Sequence, residues 1–142
     1  MLSPYLLAAL LAWIVAQTSK FLIASVRQWG TVDLRQFYQS GNMPSAHTAT
    51  VVALMTVIGL VQGVESSTFA IATLFATIVM YDAVMVRRST GEQGFALHAL
   101  IREQKSKIKL PRAAKGHEPL EVAVGAVIGL AVGLFVFFVT RY

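Results

Sequence analysis

Four apolar stretches dominate this sequence and restrict the chain to folds that a lipid bilayer can accommodate. They run over residues 4–26, 45–61, 68–86 and 119–140. About 20 apolar residues in a helix cover the hydrocarbon core of a bilayer, and a helix satisfies its own backbone hydrogen bonds there. The chain is 56% hydrophobic and 13% charged, which is too apolar for a soluble domain. We predict an all-α integral membrane bundle, a single domain over residues 1–142, with about four transmembrane helices.

The positive charge is concentrated in the connection over residues 87–117. Within it, residues 95–109 alternate apolar and basic side chains, which predicts a short amphipathic helix on an anionic membrane surface. A solvated basic connector is the alternative. Nucleic-acid binding is not expected, because membrane spans enclose this loop. The chain has no cysteine, which excludes a disulfide, a thiolate metal site and a cysteine nucleophile.

Topology places the unusual polar residues at one face of the membrane. With four spans, the connections over residues 27–44 and 87–117 lie on one side and hold ten of the twelve basic residues. The positive-inside rule makes that side cytoplasmic and puts both termini outside. The helix ends at this face carry Lys20, Arg27, Ser45, His47, Asp82, Arg87, Arg88, His117 and Glu121.

The second span begins with features of an anion-binding helix start. Gly41 and Asn42 indicate a turn, Pro44 suits the first turn of a helix, and Ser45 is a helix-start residue. We therefore predict that the backbone N–H groups of residues 45–48 are free to meet an anion such as phosphate. His47 lies where it could exchange a proton with that anion.

Asp82 is an acid near the end of a membrane helix, where it is costly unless paired or in a wet cavity. Asp82 and Arg87 are five residues apart, off one face of a continuous α-helix. We therefore predict that Asp82 pairs with a cation from another helix, namely Lys20. An ion pair that holds two helices together and a direct role of Asp82 at a site are both consistent with the pattern. Lys20 and Arg27 could alternatively anchor a helix end at the membrane interface.

His117 and Glu121 are four residues apart at the start of the last span, so both side chains can lie on one face. A carboxylate bonded to one imidazole nitrogen makes the other a better nucleophile or base. Alone, such a pair is an ordinary helix contact. With a second histidine and several cations at the same face, two histidines could act as nucleophile and general acid while the cations hold a phosphate.

The order Lys20-x6-Arg27, Pro44-Ser45-Ala46-His47 and His117-x3-Glu121 resembles the three signature blocks of the type 2 phosphatidic acid phosphatase superfamily, which includes vanadium haloperoxidases. A Tyr-Asp…Val-Arg-Arg block over residues 81–88 and a Gly-His-x-Pro-x-Glu block over residues 116–121 are similar to its small divergent bacterial and plastid branch. The resemblance covers nearly all of the chain.

The resemblance implies a metal-independent and cofactor-independent phosphatase of the cell (inner) membrane. His117 would attack phosphorus and form a phosphohistidine, Glu121 would orient it, and His47 would protonate the leaving alcohol and later activate water. Asp82 would support the site. The substrate would be a phosphorylated lipid, such as phosphatidylglycerol phosphate, phosphatidic acid or a polyprenyl phosphate. The implied ligands of its phosphate are Lys20, Arg27, Ser45 and one of Arg87, Arg88 or Arg112.

The sequence also departs from that pattern. Ala46 replaces the usual glycine, Glu121 replaces an aspartate, Gln28 replaces a proline, and Leu110-Pro111 stand where a Ser-Arg pair is usual. Family members generally have about six helices, so a second copy of the chain, in a homodimer, could complete the site. The missing arginine of the Ser-Arg pair and Ala46 favour an alternative, a protein that binds or translocates lipid phosphates without turnover.

Overall fold

The computed structural model describes residues 3–27, 43–111, 113 and 115–140, and every regular element in them is helical. The elements in chain order are α1 (Pro4–Arg27), α2 (Ala46–Gln62), α3 (Ser67–Tyr81), a π-helical segment (Asp82–Val86), α4 (Arg87–Glu103) and α5 (Pro119–Thr140). Among them, α1, the continuous α3–α4 helix and α5 are long and apolar enough to cross a membrane. The predicted all-α membrane bundle is confirmed.

Helix α2 is the central helix of the bundle and packs against α1, α3 and α5. It has 17 residues, about 26 Å at 1.5 Å per residue, which is shorter than α1, α5 and the continuous α3–α4 helix. The central position of α2 explains its composition, because small and β-branched side chains allow three neighbouring helices to approach closely. Nine residues of α2 are buried, namely Ala46, Thr48, Ala49, Val51, Val52, Ala53, Thr56, Val57 and Ile58.

The glycines of α5 form the contact with α2. A Cβ atom at Gly125 would lie 2.5 Å from the Ser45 carbonyl oxygen, and one at Gly133 would lie 2.7 Å from the Cβ of Thr56. Both contacts advance along the two helices in the same direction, so α2 and α5 run parallel and start at the same end of the bundle. The four-residue spacing of Gly125, Gly129 and Gly133 therefore permits the close packing of α5 on α2.

Helix α1 runs antiparallel to α2 and contacts it through an alanine stripe. Ala8, Ala12 and Ala16 are fully buried on one line of the helix. At the far end of the bundle, the Gln62 side-chain amide donates to the Tyr5 hydroxyl at 3.0 Å. Lys20 is the next residue on the stripe, so the packing that buries the alanines also turns Lys20 toward the bundle.

A tight turn reverses the chain between α2 and α3. Gly63 ends α2 with φ of 85°, a conformation that glycine adopts without strain. Ser66 begins α3 as its N-cap, with Oγ accepting from the Phe69 N–H at 3.2 Å. Helix α3 therefore runs antiparallel to α2, and its C-terminal end lies near the N-terminal end of α2.

The helix that begins at Ser67 does not end at Val86, the predicted end of the third span, and the surface helix predicted over residues 95–109 is helical only to Glu103, as the last part of α4. The helix passes through the π-helical segment and ends at Glu103, and residues 106–111 have no regular structure. We call residues 106–118 the return segment, within which 112 and 114 lie outside the described residues. It runs back along α4: the His98 Nε2 lies 2.6 Å from the Pro111 oxygen, and Gly94 faces Ala113. Two helix-weakening glycines, Gly91 and Gly94, are tolerated in α4 because they leave room for this segment.

Candidate active site

The structure brings the ends of four elements together at one end of the bundle. The imidazole of His47 lies within electrostatic range of Lys20, Asp82, Arg87 and His117, and Lys20 lies within range of Glu121. These residues come from α1, α2, the continuous α3–α4 helix and the start of α5. We call Lys20, His47, Asp82, Arg87, His117 and Glu121 the polar cluster.

A histidine and a carboxylate form a bonded pair in this cluster. The Nδ1 of His117 lies 2.9 Å from Oε2 of Glu121, as the four-residue spacing predicts. The same oxygen accepts the backbone N–H of Glu118 at 3.1 Å, which fixes the carboxylate. His117 is 5% exposed. With Nδ1 donating to the carboxylate, Nε2 keeps its lone pair and is the nucleophilic or basic atom.

The start of α2 is interlocked with the start of α5. Ser45 is the N-cap, fully buried, and its Oγ accepts from the Thr48 N–H at 3.4 Å and from the Thr48 hydroxyl at 3.0 Å. Its own N–H donates to the Glu121 carbonyl at 3.1 Å. Two of the four N–H groups over residues 45–48 are therefore already bonded, which corrects the expectation of a free anion site. Pro44 precedes the cap and does not lie in the first turn.

Ala46, which replaces the usual glycine of the family pattern, is 6% exposed and belongs to the core cluster that contains the alanine stripe of α1. The methyl group therefore fills the bundle core, where it adds apolar contact.

The predicted pairing of Asp82 with Lys20 is wrong. Asp82 Oδ2 accepts from Nε of Arg87 at 2.5 Å. The prediction assumed an α-helix, in which residues five apart diverge, but residues 82–86 form a π-helix that places residues five apart on the same face. Arg87 is thereby bonded to Asp82, and it lies within electrostatic range of His47.

Lys20 is left as a buried cation without a bonded partner. It is 8% exposed, and in the part of the chain that the structure describes its ammonium group makes no hydrogen bond or ion pair. A buried ammonium is costly unless an anion compensates it. Its place on the alanine stripe argues against an interfacial anchor. The four-residue spacing of Ala8, Ala12, Ala16 and Lys20 was the signal in the sequence that could have distinguished a buried site residue from such an anchor.

Arg88 is bonded to a residue outside the polar cluster. Its Nε donates to Glu92 at 3.2 Å, and it lines a cavity of about 200 Å³ between α4 and the return segment. The cavity adjoins His117 and was not expected from the sequence. The residues around it are Arg88, Gly91, Glu92, Phe95, Lys115, Gly116, His117 and Glu118.

Two exposed charges at the rim of the cavity stabilise each other. Lys115 Nζ donates to Oε1 of Glu118 at 2.8 Å. This hydrogen bond and the attraction between the two charges raise the pKa of Lys115 and lower the pKa of Glu118. Both groups therefore stay charged over the range in which histidines titrate.

Two predicted phosphate ligands cannot be placed. Arg112 and the side chain of Arg27 lie outside the described residues. Sequence reasoning also missed Gly116, where a Cβ atom would collide with the backbone nitrogen of Arg88. Its position just before His117 was the available signal, because close backbone contact requires glycine.

Comparisons with known proteins agree with the resemblance drawn from the sequence blocks. A model of a family described as the divergent PAP2 family matches residues 1–132. YuiD of Bacillus subtilis (strain 168), an uncharacterized membrane protein, is 34% identical over 148 aligned positions, which cover 91% of this chain and 90% of YuiD. No solved structure matches the chain.

Proposed function

We propose a function for this chain from the premise that it belongs to the divergent PAP2 family. The chain is a metal-independent phosphatase that hydrolyses a phosphorylated lipid at the membrane through a phosphohistidine. The observation that carries this proposal is the bonded pair of His117 and Glu121 beside a second histidine and the buried ammonium of Lys20. A site that only bound phosphate would need the cations alone.

The reaction proceeds in two steps with the two histidines in different roles. In the first, Nε2 of His117 attacks phosphorus, the bond from phosphorus to the lipid oxygen breaks, and His47 gives its proton to that oxygen. In the second, His47 takes a proton from water as the water attacks the phosphohistidine. Inorganic phosphate leaves and His117 is regenerated. Glu121 holds His117 in the tautomer that this chemistry needs.

Cations neutralise the charge that develops on the phosphate oxygens. Lys20 suits this role because its buried ammonium makes no hydrogen bond among the described residues, and a phosphate would add to the negative charge that Glu121 supplies. Arg87 is the better candidate among the arginines, since Asp82 holds it beside His47, whereas Arg88 pairs with Glu92 and faces the cavity. The role of Asp82 is then to position Arg87. Ser45, Arg27 and Arg112 remain proposed ligands on the resemblance alone.

The substrate is a lipid because the cluster lies at the ends of apolar helices, at the depth of phospholipid head groups. Phosphatidylglycerol phosphate, phosphatidic acid and polyprenyl phosphates share a phosphate monoester that could reach this depth. The excess of basic residues on the connections at this end favours the cytoplasmic face.

The decisive experiment measures phosphate release by the purified protein in detergent, with a chelator present, from a panel of these three lipids. The wild type is compared with His117→Ala and His47→Ala, and Glu92→Gln, outside the cluster, serves as the control. We expect release by the wild type and the control, and none by either histidine variant.

The same experiment separates the alternative of a binding or translocating protein. Absence of release from every lipid, together with lipid-phosphate binding that survives His117→Ala, would refute the phosphatase and support binding without turnover.

A further inference from the structure

One carbonyl of the continuous α3–α4 helix bonds outside that helix. In a regular α-helix the Ala83 carbonyl would accept the N–H of Arg87, four residues on. In the π-helical segment the Arg87 N–H donates to the Asp82 carbonyl instead. The Ala83 carbonyl is thereby released, and it accepts the backbone N–H of His117 at 3.1 Å. Ala83 is 3% exposed, so the bond is shielded from water.

The residue before His117 is seated on the same turn. Gly116 is buried, and its Cα lies so close to the backbone of Arg87 and Arg88 that a side chain there would collide with it. The return segment therefore reaches the helix where the π-helical segment ends. A π-helical turn contains one residue more than an α-helical turn, and such turns occur frequently at functional sites.

We propose that the π-helical segment Asp82–Val86 positions the nucleophile. Through the Ala83 carbonyl it fixes the backbone of His117, and through Asp82 it fixes Arg87, so that one turn sets the distance between the attacking histidine and a phosphate-binding arginine. Ala83 is a positioning residue because it acts through His117. The catalytic consequence rests on the proposed phosphatase function, whereas the anchoring of His117 does not.

Deletion of Met85 tests this with little other disturbance, because its side chain is 52% exposed. Without Met85 the segment has one residue fewer and can form regular α-helical turns. The Ala83 carbonyl is then four residues before Arg88, and it accepts the Arg88 N–H. Asp82 and Arg87 become four residues apart and stay on one face. The deletion therefore removes the anchor of His117 and keeps the ion pair. Met85→Ala, which keeps the chain length, is the matched control.

Two readouts are measured for the wild type and both variants: hydrogen exchange of the His117 amide, and kcat and KM for phosphate release. We expect the deletion to speed exchange of that amide about tenfold or more. It should also lower kcat about 100-fold with little change in KM, since a misplacement of about 1 Å costs a rate of that order. Met85→Ala should match the wild type in both. A folded deletion variant with wild-type exchange and wild-type kcat overturns the proposal.

Gly116→Ala gives a second test from the other side of the contact and covers the case in which the deletion variant does not fold. It lifts the return segment from the helix without changing α3, and should produce the same loss of His117 protection and of kcat. Unchanged protection and kcat in a folded Gly116→Ala protein overturn the proposal.

If the wild type releases no phosphate, the proposed function fails. The exchange readout then decides the anchoring by itself: loss of protection on deletion supports it, and unchanged protection overturns it.

Discussion

Replacing Glu121 with glutamine separates the charge of this carboxylate from its shape. In the wild type a single oxygen, Oε2, accepts both the His117 Nδ1–H at 2.9 Å and the Glu118 N–H at 3.1 Å. The amide oxygen of glutamine can occupy the same place and accept both. Its nitrogen would take the position of Oε1. The variant therefore keeps the two hydrogen bonds and loses the negative charge beside an imidazole that becomes positive during phosphoryl transfer.

The magnitude follows from these contacts. Hydrogen bonds to a charged acceptor are about twice as strong as neutral ones, and loss of an acid–base contribution lowers a rate about 10²- to 10⁴-fold. We expect kcat to fall about 100-fold, which corresponds to about 2.7 kcal/mol of transition-state stabilisation. Stability should fall by less than about 1.5 kcal/mol, because both donors keep an acceptor. By contrast, Glu121→Ala leaves two donors without an acceptor and should cost about 1–3 kcal/mol for each.

The assay is phosphate release at saturating lipid, with thermal unfolding in the same detergent as the measure of stability. Glu92→Gln is the matched control, since it removes the same charge from an exposed pair with Arg88, and it should leave kcat unchanged. Wild-type kcat in Glu121→Gln would refute the role of the carboxylate charge. A fall in kcat that merely follows a large fall in melting temperature would show a structural role instead.

Four further predictions concern the cations, the helix contact and the pH dependence. Lys20→Met should lower kcat/KM about 100-fold or more while leaving the melting temperature equal or higher, because a buried ammonium with no hydrogen bond among the described residues is removed and Glu121 keeps its bonds to His117 and Glu118. Lys105→Met is the exposed control, and a lower melting temperature would contradict the reasoning. Arg87→Met should cost about 2 kcal/mol or more of transition-state binding and Arg88→Met almost nothing, measured from the kcat/KM of each variant. Equal losses would contradict the assignment of phosphate binding to Arg87. Gly129→Ala should destabilise the bundle by about 1–3 kcal/mol in thermal unfolding, since its Cβ would lie 2.5 Å from an α2 carbonyl oxygen; an unchanged melting temperature would argue against the tight contact. The pH profile of kcat/KM should be bell-shaped, because one histidine must be neutral and the other protonated, and a profile with one limb would argue against paired histidines.

Much of the bundle could be predicted because its signals are local and periodic. The length of the apolar stretches predicted the helices. The spacing of His117 and Glu121 indicated their contact, although His117 precedes α5: Oε2 of Glu121 reaches back past the helix start to the Glu118 N–H and to Nδ1 of His117. The cap at Ser45 was likewise predictable from its residue type.

The errors came where distant parts of the chain decide the local structure. The helix continues past its predicted end at Val86 to Glu103. The glycines in α4 weaken the helix, but contact with the return segment offsets that cost. The N–H groups of Ser45 and Thr48 were expected to be free, yet Ser45 donates to Glu121 in the parallel helix α5. Hydrogen bonds of this kind depend on which helix ends meet, and residue types do not specify that.

The sequence by itself determined that this chain forms an apolar helical bundle with its polar residues at one end, since helix length and periodicity depend on near neighbours along the chain. Only the tertiary structure decided which polar groups pair. A π-helical turn rotated Arg87 onto Asp82 and released a carbonyl for His117, and among the described residues the buried ammonium of Lys20 has no hydrogen bond or ion pair. A turn that holds one extra residue has no pattern of its own in the sequence. It is stabilised by a hydrogen bond from a segment far along the chain, and that bond forms only when the bundle is assembled.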